Sequence, residues 1–263
     1  MAEPDRGDTP VALVTGASRG LGRAIAVELA GRGQHVIVNY KTNRREAEET
    51  LSQIKERGGA ATLFQADVSR PDQVQAMFQA VFKAHRRLDI LVNNAGITRD
   101  EYFLTMRQQS WDEVIASDLG AVLYCCKMAV GLMAGARRGV IVNIGSSSAL
   151  SARPGQVNYG TAKSALLGFS RTLARELAGK GVRVLVVAPG FTATPMTEAL
   201  PREVIRETLA RIPLGRWSLP REIARAVAFF ASDAARCYSG QTIVIDGGRT
   251  ALEQEYGLQV QGE

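Results

Sequence analysis

Histidine, cysteine and aromatic residues are all scarce in this chain. Two histidines, three cysteines and 6% aromatic content in 263 residues leave little material for several kinds of site. His35 and His85 fall beside expected strand and helix ends, and no Cys or His recurs at metal-ligand spacing, so neither a catalytic histidine nor a metal centre is expected. Cys125 and Cys126 are neighbours, and neighbours on a helix do not share a face. Together with Cys237 they read as reduced thiols of the core, which fits a cytoplasmic protein. Long apolar runs are missing too. None approaches the ~20 residues of a membrane span, so no membrane association is expected. The opening MAEPDRGDTP is polar and acidic, without the basic and apolar regions of a secretory signal. Charge of one sign is only mildly in excess, with 32 Lys+Arg against 26 Asp+Glu. Arg44–Arg45 and Arg137–Arg138 are the densest basic clusters. Neither extends into a stripe with aromatic platforms, so nucleic-acid binding is not expected. The net charge of +6 is compatible with weak attraction to an acidic partner.

What the chain does have is a repeated alternation. Hydrophobic residues make up 46% of it, enough for a sizeable core. VALVTG, HVIVNY, ATLFQAD, LDILVNNAG, GVIVNIGS, RVLVVAPG and QTIVIDGG read as strands. They are rich in Val, Ile and Leu without clean polar alternation, the pattern of strands covered on both faces. Segments of helical length separate them: Leu21–Gly33, Glu46–Arg57, about Trp111–Met133, Val157–Gly179 and Pro220–Ser232. A further helix opens near Ser69, with Ser69 as cap and Pro71 in the first turn. Strands alternating with helices imply right-handed crossovers and a parallel sheet. The expected fold is α/β, a single-domain Rossmann fold with a seven-stranded parallel sheet flanked by helices on both faces. It spans residues 9–249, between a disordered N-terminal segment (1–8) and a C-terminal tail (250–263). The least regular stretch, GFTATPMTEALPREVIRETLARIPLGRWSLP, reads as a mobile flap at the C-terminal edge of the sheet, where open α/β sheets bind ligands.

The first strand runs into TGASRGLG, which contains Gly16, Ser18, Arg19, Gly20, Leu21 and Gly22. Glycines there let the backbone turn sharply and approach a pyrophosphate at a helix N-terminus. The spacing is G-x-x-x-G-x-G rather than G-x-G-x-x-G, and a tight strand-to-helix turn without ligand is the alternative reading. Position after the first strand and before an amphipathic helix favours binding. The second strand ends in Asn39, Tyr40 and Lys41, where an NAD-preferring site usually carries an acid that grips the ribose hydroxyls. An amide, a phenol and a cation do not repel a 2′-phosphate, and Arg19 adds positive charge, so NADP(H) is expected over NAD(H). Asp67, followed by Val68, has two readings: a bond to the adenine amino group, or a brace for the turn before Ser69.

TGASRGLG, NNAG (Asn93–Gly96), NIGS ending at Ser146, YGTAK and APG (Ala188–Gly190) occur in that order. Taken together they resemble the short-chain dehydrogenase/reductase family, and NNAGITRD, PGFTATPMTEAL and EIARAVAFFASDAA resemble its 3-oxoacyl-[acyl-carrier-protein] reductases. The resemblance implies roles. Tyr159 would be the general acid/base. Lys163 would lower its pKa and hold the nicotinamide ribose. Ser146, thirteen residues before Tyr159, would bind the substrate carbonyl oxygen, a role its neighbours Ser147 and Ser148 would not share. Asn94, Ala95 and Gly96 would line the adenosine and ribose side. Pro189, Gly190, Thr192 and Thr194 would meet the nicotinamide and pyrophosphate. One position departs: Asp118 stands where the family usually has an Asn that helps hold a proton-relay water. A charged Asp118 could pair with Lys163 across that water and retune the relay.

The chemistry follows from the residues themselves. Positions i and i+4 share a helix face, so Lys163 can sit beside Tyr159. A cation within about 4–6 Å favours the phenolate of a group whose free pKa is near 10. The expectation is an NADPH-dependent reductase of a 3-oxoacyl thioester on acyl carrier protein, in fatty-acid or polyketide-type synthesis, and a homotetramer. Arg137, Arg138 and Lys180 are the candidate contacts to an acidic carrier. Two other readings stay open: reduction of another ketone or oxidation of a secondary alcohol, and an NADPH-binding subunit with little catalysis.

Overall fold

The computed structural model describes residues 9–194, 197 and 201–254. The expected N-terminal segment 1–8, flap residues 195–196 and 198–200, and tail residues 255–263 lie outside the described residues. Seven strands form one all-parallel sheet: β1 (Val11–Val14), β2 (His35–Tyr40), β3 (Ala60–Gln65), β4 (Ile90–Asn93), β5 (Gly139–Ile144), β6 (Val182–Pro189) and β7 (Thr242–Ile245). Their order across the sheet is β3-β2-β1-β4-β5-β6-β7. Val14 of β1 lies opposite Val38 of β2 on one side and Val92 of β4 on the other. The chain leaves β1 toward β2 and β3, then returns to β4 across β1. That reversal creates a topological switch point at the C-terminal ends of β1 and β4, where such sheets open a crevice.

The helices are α1 (Gly20–Ala30), α2 (Arg44–Glu56), α3 (Pro71–His85), α4 (Gln108–Ile115), α5 (Ala121–Ala136), α6 (Val157–Leu177), α7 (Arg202–Ala210), α8 (Pro220–Ala231) and α9 (Arg249–Gln254). Side chains alternate along a strand, so each strand feeds two cores. Val14, Val38 and Val142 pack with Ile25 of α1 and Ile223 of α8. Leu13, Ile37 and Ile141 pack on the other face with Phe78 of α3, Cys126 of α5 and Leu166 of α6. Burying one such side chain contributes about 1.5–3 kcal/mol. A polar chain crosses the second core: Asn93 donates to Asn143 Oδ1 at 2.8 Å, and Asn143 donates to Ser170 Oγ at 2.9 Å. It ties β4 and β5 to α6 near the C-terminal ends of the two strands.

Several local expectations change. The cap of α3 is Arg70, which is followed by Pro71, while the Ser69 hydroxyl donates to Asp67 Oδ1 at 2.7 Å. Asp67 captures Ser69 in an Asx-type turn, so the hydroxyl is not left to cap the helix. The segment expected as one helix, Trp111–Met133, is α4 and α5 joined by a π-helical turn at Ala116–Gly120. The run Gln108–Ala136 is long and apolar enough by length and composition to cross a membrane. Here it packs on the sheet, with Cys125, Cys126, Ala129 and Met133 inside the core. Cys125 and Cys126 are buried, and burial pushes the Cys126 thiol up to about 12. Cys237 is exposed, against the expectation of a core thiol. The flap carries α7, and the first residues of the expected tail form α9.

Candidate active site

The glycine loop has the shape of an anion cradle. Gly16 and Gly20 adopt φ of 61° and 56°, the left-handed region that favours glycine. A Cβ on Gly22 would strike Gly16 O and Asn94 Nδ2, so this position admits no side chain. Arg19 occupies the N-cap of α1 in extended conformation and gives no side-chain cap. The first-turn N–H groups are therefore left to another acceptor, as a bound pyrophosphate would provide. Asn94 holds the loop from β4 by donating to Thr15 O at 2.9 Å and Gly16 O at 3.1 Å. The backbone N–H groups of Asn94 and Ala95 both donate to Thr15 Oγ1 at 3.0 Å. Across the cleft, Thr194 Cγ2 lies 4.0 Å from where a Cβ of Gly20 would stand, so the turn after β6 faces the loop after β1. That turn is braced by Thr197, whose hydroxyl donates to Thr192 O at 2.6 Å. Pro189 closes β6, and the N–H of Gly190 donates to Ile245 O at 2.9 Å. The residues present fit a dinucleotide.

At the second strand the expected residues divide. Asn39 is buried; it accepts the Gly16 N–H at 3.2 Å and donates to Ala66 O at 3.0 Å. Its side chain braces the glycine loop and is not turned to the cleft. Tyr40 and Val68 are buried as well. Lys41 and Arg19 remain on the surface, with side chains 65% exposed in each case. Lys41 Nζ lies 2.8 Å from Asp67 Oδ2, and Arg19 Nε lies 3.8 Å from Glu46 Oε2. Asp67 thus performs the bracing role, accepting Ser69 through Oδ1 and facing Lys41 with Oδ2. Its burial acts against the charge, but the bonds from Lys41 and Ser69 outweigh it and hold the carboxyl below its usual range.

Ser146 caps the turn Ser147–Ala149 after β5, and Tyr159 and Lys163 lie on α6, which is tied to that turn by the Ser164 hydroxyl donating to Ala149 O at 3.0 Å. Ser146 Oγ accepts the Ser148 N–H at 3.1 Å, which leaves its own proton to donate into the cleft. Of its neighbours, Ser147 is buried and Ser148 donates to Gln156 Oε1 at 3.2 Å. Lys163 is buried, with Nζ 5.6 Å from the centroid of the Tyr159 ring, and it donates to Ile144 O at 3.1 Å. Two positioning residues had no signal beyond being polar at the start of α6, Gln156 at its N-cap and Asn158 in its first turn. Asn158, fully buried, donates to Arg99 O at 3.0 Å and accepts the Tyr159 N–H at 2.8 Å. Gln156 donates to Asp100 Oδ2 at 2.9 Å.

Asp118 projects from the π turn straight onto this group. It is fully buried, its Oδ1 accepts the Ile97 N–H at 2.8 Å, and its Oδ2 lies 3.2 Å from Lys163 Nζ. The contact is a buried ion pair. The two groups are in direct contact, in contrast to the expected pairing across a water. Gly96 makes the room: a Cβ there would stand 2.6 Å from Asp118 Oδ2. Burial raises the Asp118 carboxyl above its ordinary value, opposed by Lys163 and the Ile97 N–H. For Lys163, burial works against the charge, but Asp118 and Tyr159 together outweigh it and raise the ammonium above its ordinary value.

Arg137, Arg138 and Lys180 lie before β5 and β6, at the opposite end of the strands from Ser146. The length of β5, ~20 Å for six residues, separates them from the cleft. His35 and His85 also lie at that end, with ring centroids 4.5 Å apart.

Residues 16–250 match the family model described as enoyl-(acyl carrier protein) reductase. The chain is 44% identical over 240 residues to the 3-oxoacyl-[acyl-carrier-protein] reductase FabG of Staphylococcus aureus, covering 91% of this chain and 98% of that one. It is 45% identical over 239 residues to a 3-oxoacyl-[acyl-carrier-protein] reductase of Synechocystis sp., covering 90% and 96%. A Sinorhizobium meliloti crystal structure described as a short-chain alcohol dehydrogenase superposes with a TM-score of 0.88 at 35% identity, covering 94% of this chain and 99% of that one.

Proposed function

The chain belongs to the short-chain dehydrogenase/reductase family, and on that premise we propose that it reduces 3-oxoacyl thioesters, presented by acyl carrier protein, to 3-hydroxyacyl thioesters in fatty-acid-type biosynthesis. The observation that carries this reading is the convergence of a proton-donating Ser146, a half-buried Tyr159 and the cationic Lys163 beside a glycine cradle. NADPH, when bound, supplies the hydride that reaches the carbonyl carbon. As negative charge builds on the carbonyl oxygen, Ser146 donates a hydrogen bond to it and Tyr159 transfers its phenolic proton. Lys163 stays in place through Ile144 O and Asp118, and its charge favours the proton's departure from Tyr159.

A nicotinamide dinucleotide fits the cradle, and the 2′-phosphorylated form is favoured by the missing acid at the end of β2. Lys41 and Arg19 are engaged by Asp67 and Glu46, but exposed ion pairs are worth about 0–1 kcal/mol, so a dianionic phosphate can displace the carboxylates. Lys41→Glu is expected to lower the preference for NADPH over NADH at least fivefold, read as the ratio of the two kcat/KM values. We place the enzyme in the cytoplasm as a homotetramer. Support comes from Leu123, 48% exposed on α5, and from Phe229 and Tyr238, 40% and 37% exposed near the edge strand β7.

The discriminating assay follows NADPH absorbance with acetoacetyl thioester, a plain ketone, and crotonyl thioester as the enoyl control. Turnover of the 3-oxo thioester above the other two supports the reading. Faster reduction of the plain ketone would favour the second reading, a dehydrogenase of small alcohols, to which the Sinorhizobium neighbour's description points.

A further inference from the structure

Three arginines gather where the catalytic cleft meets the flap. Arg153, in the loop before α6, holds its guanidinium 4.8 Å from the centroid of Phe191. Arg249, at the start of α9 and 5% exposed, lies 5.8 Å from the same centroid and donates to Ser151 Oγ at 3.4 Å. Arg211, exposed just after α7, joins them, Glu207 and Thr208 around a cavity of about 100 Å³. Among the described residues that line the cavity, three are cations and one, the exposed Glu207, is a carboxylate. Asp100 is near enough to act on Arg153, but its Oδ2 is engaged by Gln156. The guanidinium of Arg153 is half-buried and makes no ion pair or hydrogen bond among the described residues. Burial, then the charge of Arg249, push it below its ordinary value, while Asp100 and Tyr159 act the other way. A partly dry guanidinium beside a second cation is costly until a planar oxyanion meets its fork of donors.

We propose that Arg153 and Arg249, packed around Phe191, bind a carboxylate carried at the far end of the substrate's acyl chain, making this enzyme selective for 3-oxoacyl thioesters with an acidic terminus. The inference rests on the ketoreductase reading above. An acyl carboxylate is favoured over a phosphate of the carrier arm for two reasons. Arg153 is close enough to Tyr159 for their charges to interact, and the ketone must sit at Tyr159. The arm's phosphate is a long chain of bonds away from that ketone, and the cavity has room for only a few atoms.

The test compares the N-acetylcysteamine thioester of 3-oxoadipate with its distal methyl ester, in the full chain with NADPH. The expected kcat/KM ratio of acid to ester is on the order of tenfold or more, the scale of a desolvated charge pair. Arg153→Gln should cut that ratio by a similar factor, and Arg153→Lys, which keeps charge without the fork, by less. Because each ratio is taken within one preparation, partial misfolding cancels. A ratio near one in the wild-type chain overturns the proposal. So does a coenzyme A thioester that outruns its N-acetylcysteamine counterpart through an advantage lost in Arg153→Gln, which would assign the arginine to the arm's phosphates. A second readout needs no turnover. Trp217 stacks on Phe191 with centroids 5.7 Å apart, so its fluorescence reports on the cavity. Titration with glutarate should give a saturable change that weakens about tenfold in Arg153→Gln; no change in the wild-type chain overturns the subsite. Arginine-dependent glutarate binding without turnover of any thioester would uphold the subsite and bring down the ketoreductase reading.

Discussion

Replacing Asp118 with asparagine removes one charge and almost no volume. The amide oxygen can still accept the Ile97 N–H now held at 2.8 Å, so the loop after β4 keeps its anchor. What changes is the field at Lys163. The carboxylate oxygen stands 3.2 Å from Nζ, and at an effective permittivity near 20 that separation corresponds to roughly 5 kcal/mol. Converted at 1.36 kcal/mol per pK unit, the upper bound on the downward shift of the ammonium is roughly four units. Relaxation of the lysine toward Ile144 O and water entry reduce it, and a shift of at least about one unit is expected. The direction is fixed by the cause: Asp118 raises the folded-state value of Lys163, so in the native chain the cation persists to higher pH. In Asp118→Asn it is lost sooner, and activity that depends on it falls at lower pH. The assay is kcat for NADPH-dependent reduction of acetoacetyl thioester from about pH 6 to 10.5. The alkaline limb should move to lower pH in the variant. Coincident alkaline limbs would refute the reasoning, because they would mean that Asp118 carries no charge at Lys163 or that the ammonium does not limit the rate.

Tyr159→Phe should lower kcat by about 10²–10⁴-fold, the range for a general acid, while NADPH binding followed by fluorescence persists. Gly96→Ala places a methyl 2.6 Å from Asp118 Oδ2, so both activity and Tm should fall. The adjacent His35 and His85 are both lowered from their ordinary values, chiefly by burial, and His35 further by His85. Above pH ~6.5 both rings are neutral and their contribution to stability is complete. As pH falls through that value the unfolded chain takes up protons first, so Tm should drop between pH 7 and 5, and His85→Gln should flatten that drop.

Much of this protein was legible in one dimension. The apolar runs that became β1, β2, β4, β5 and β6 lack polar alternation because both faces of the sheet are covered there, whereas the edge strand β3 alternates exposed and half-buried residues, against the expectation. Gly16, Gly20 and Gly22 announce a backbone that must turn and be approached closely. Tyr159 and Lys163 share a face because the α-helix repeats every 3.6 residues. Ser146 lies near them because the chain leaving β5 turns back through Ser147–Ala149 to start α6. What the sequence could not settle is everything that depends on which distant side chains share a buried volume. Asn39 is at the strand end where a nucleotide contact was expected, yet Gly16 and Ala66 consume its amide from inside. Asp118 meets Lys163 directly only because a π turn and the missing side chain of Gly96 let it in. Arg153 and Arg249, remote along the chain, flank one ring only because the turn after β6 carries Phe191 between them. Local pattern reports what neighbours impose on the backbone. Desolvation and charge–charge contact depend on three-dimensional packing, and at this site they decide which groups are charged and which are available.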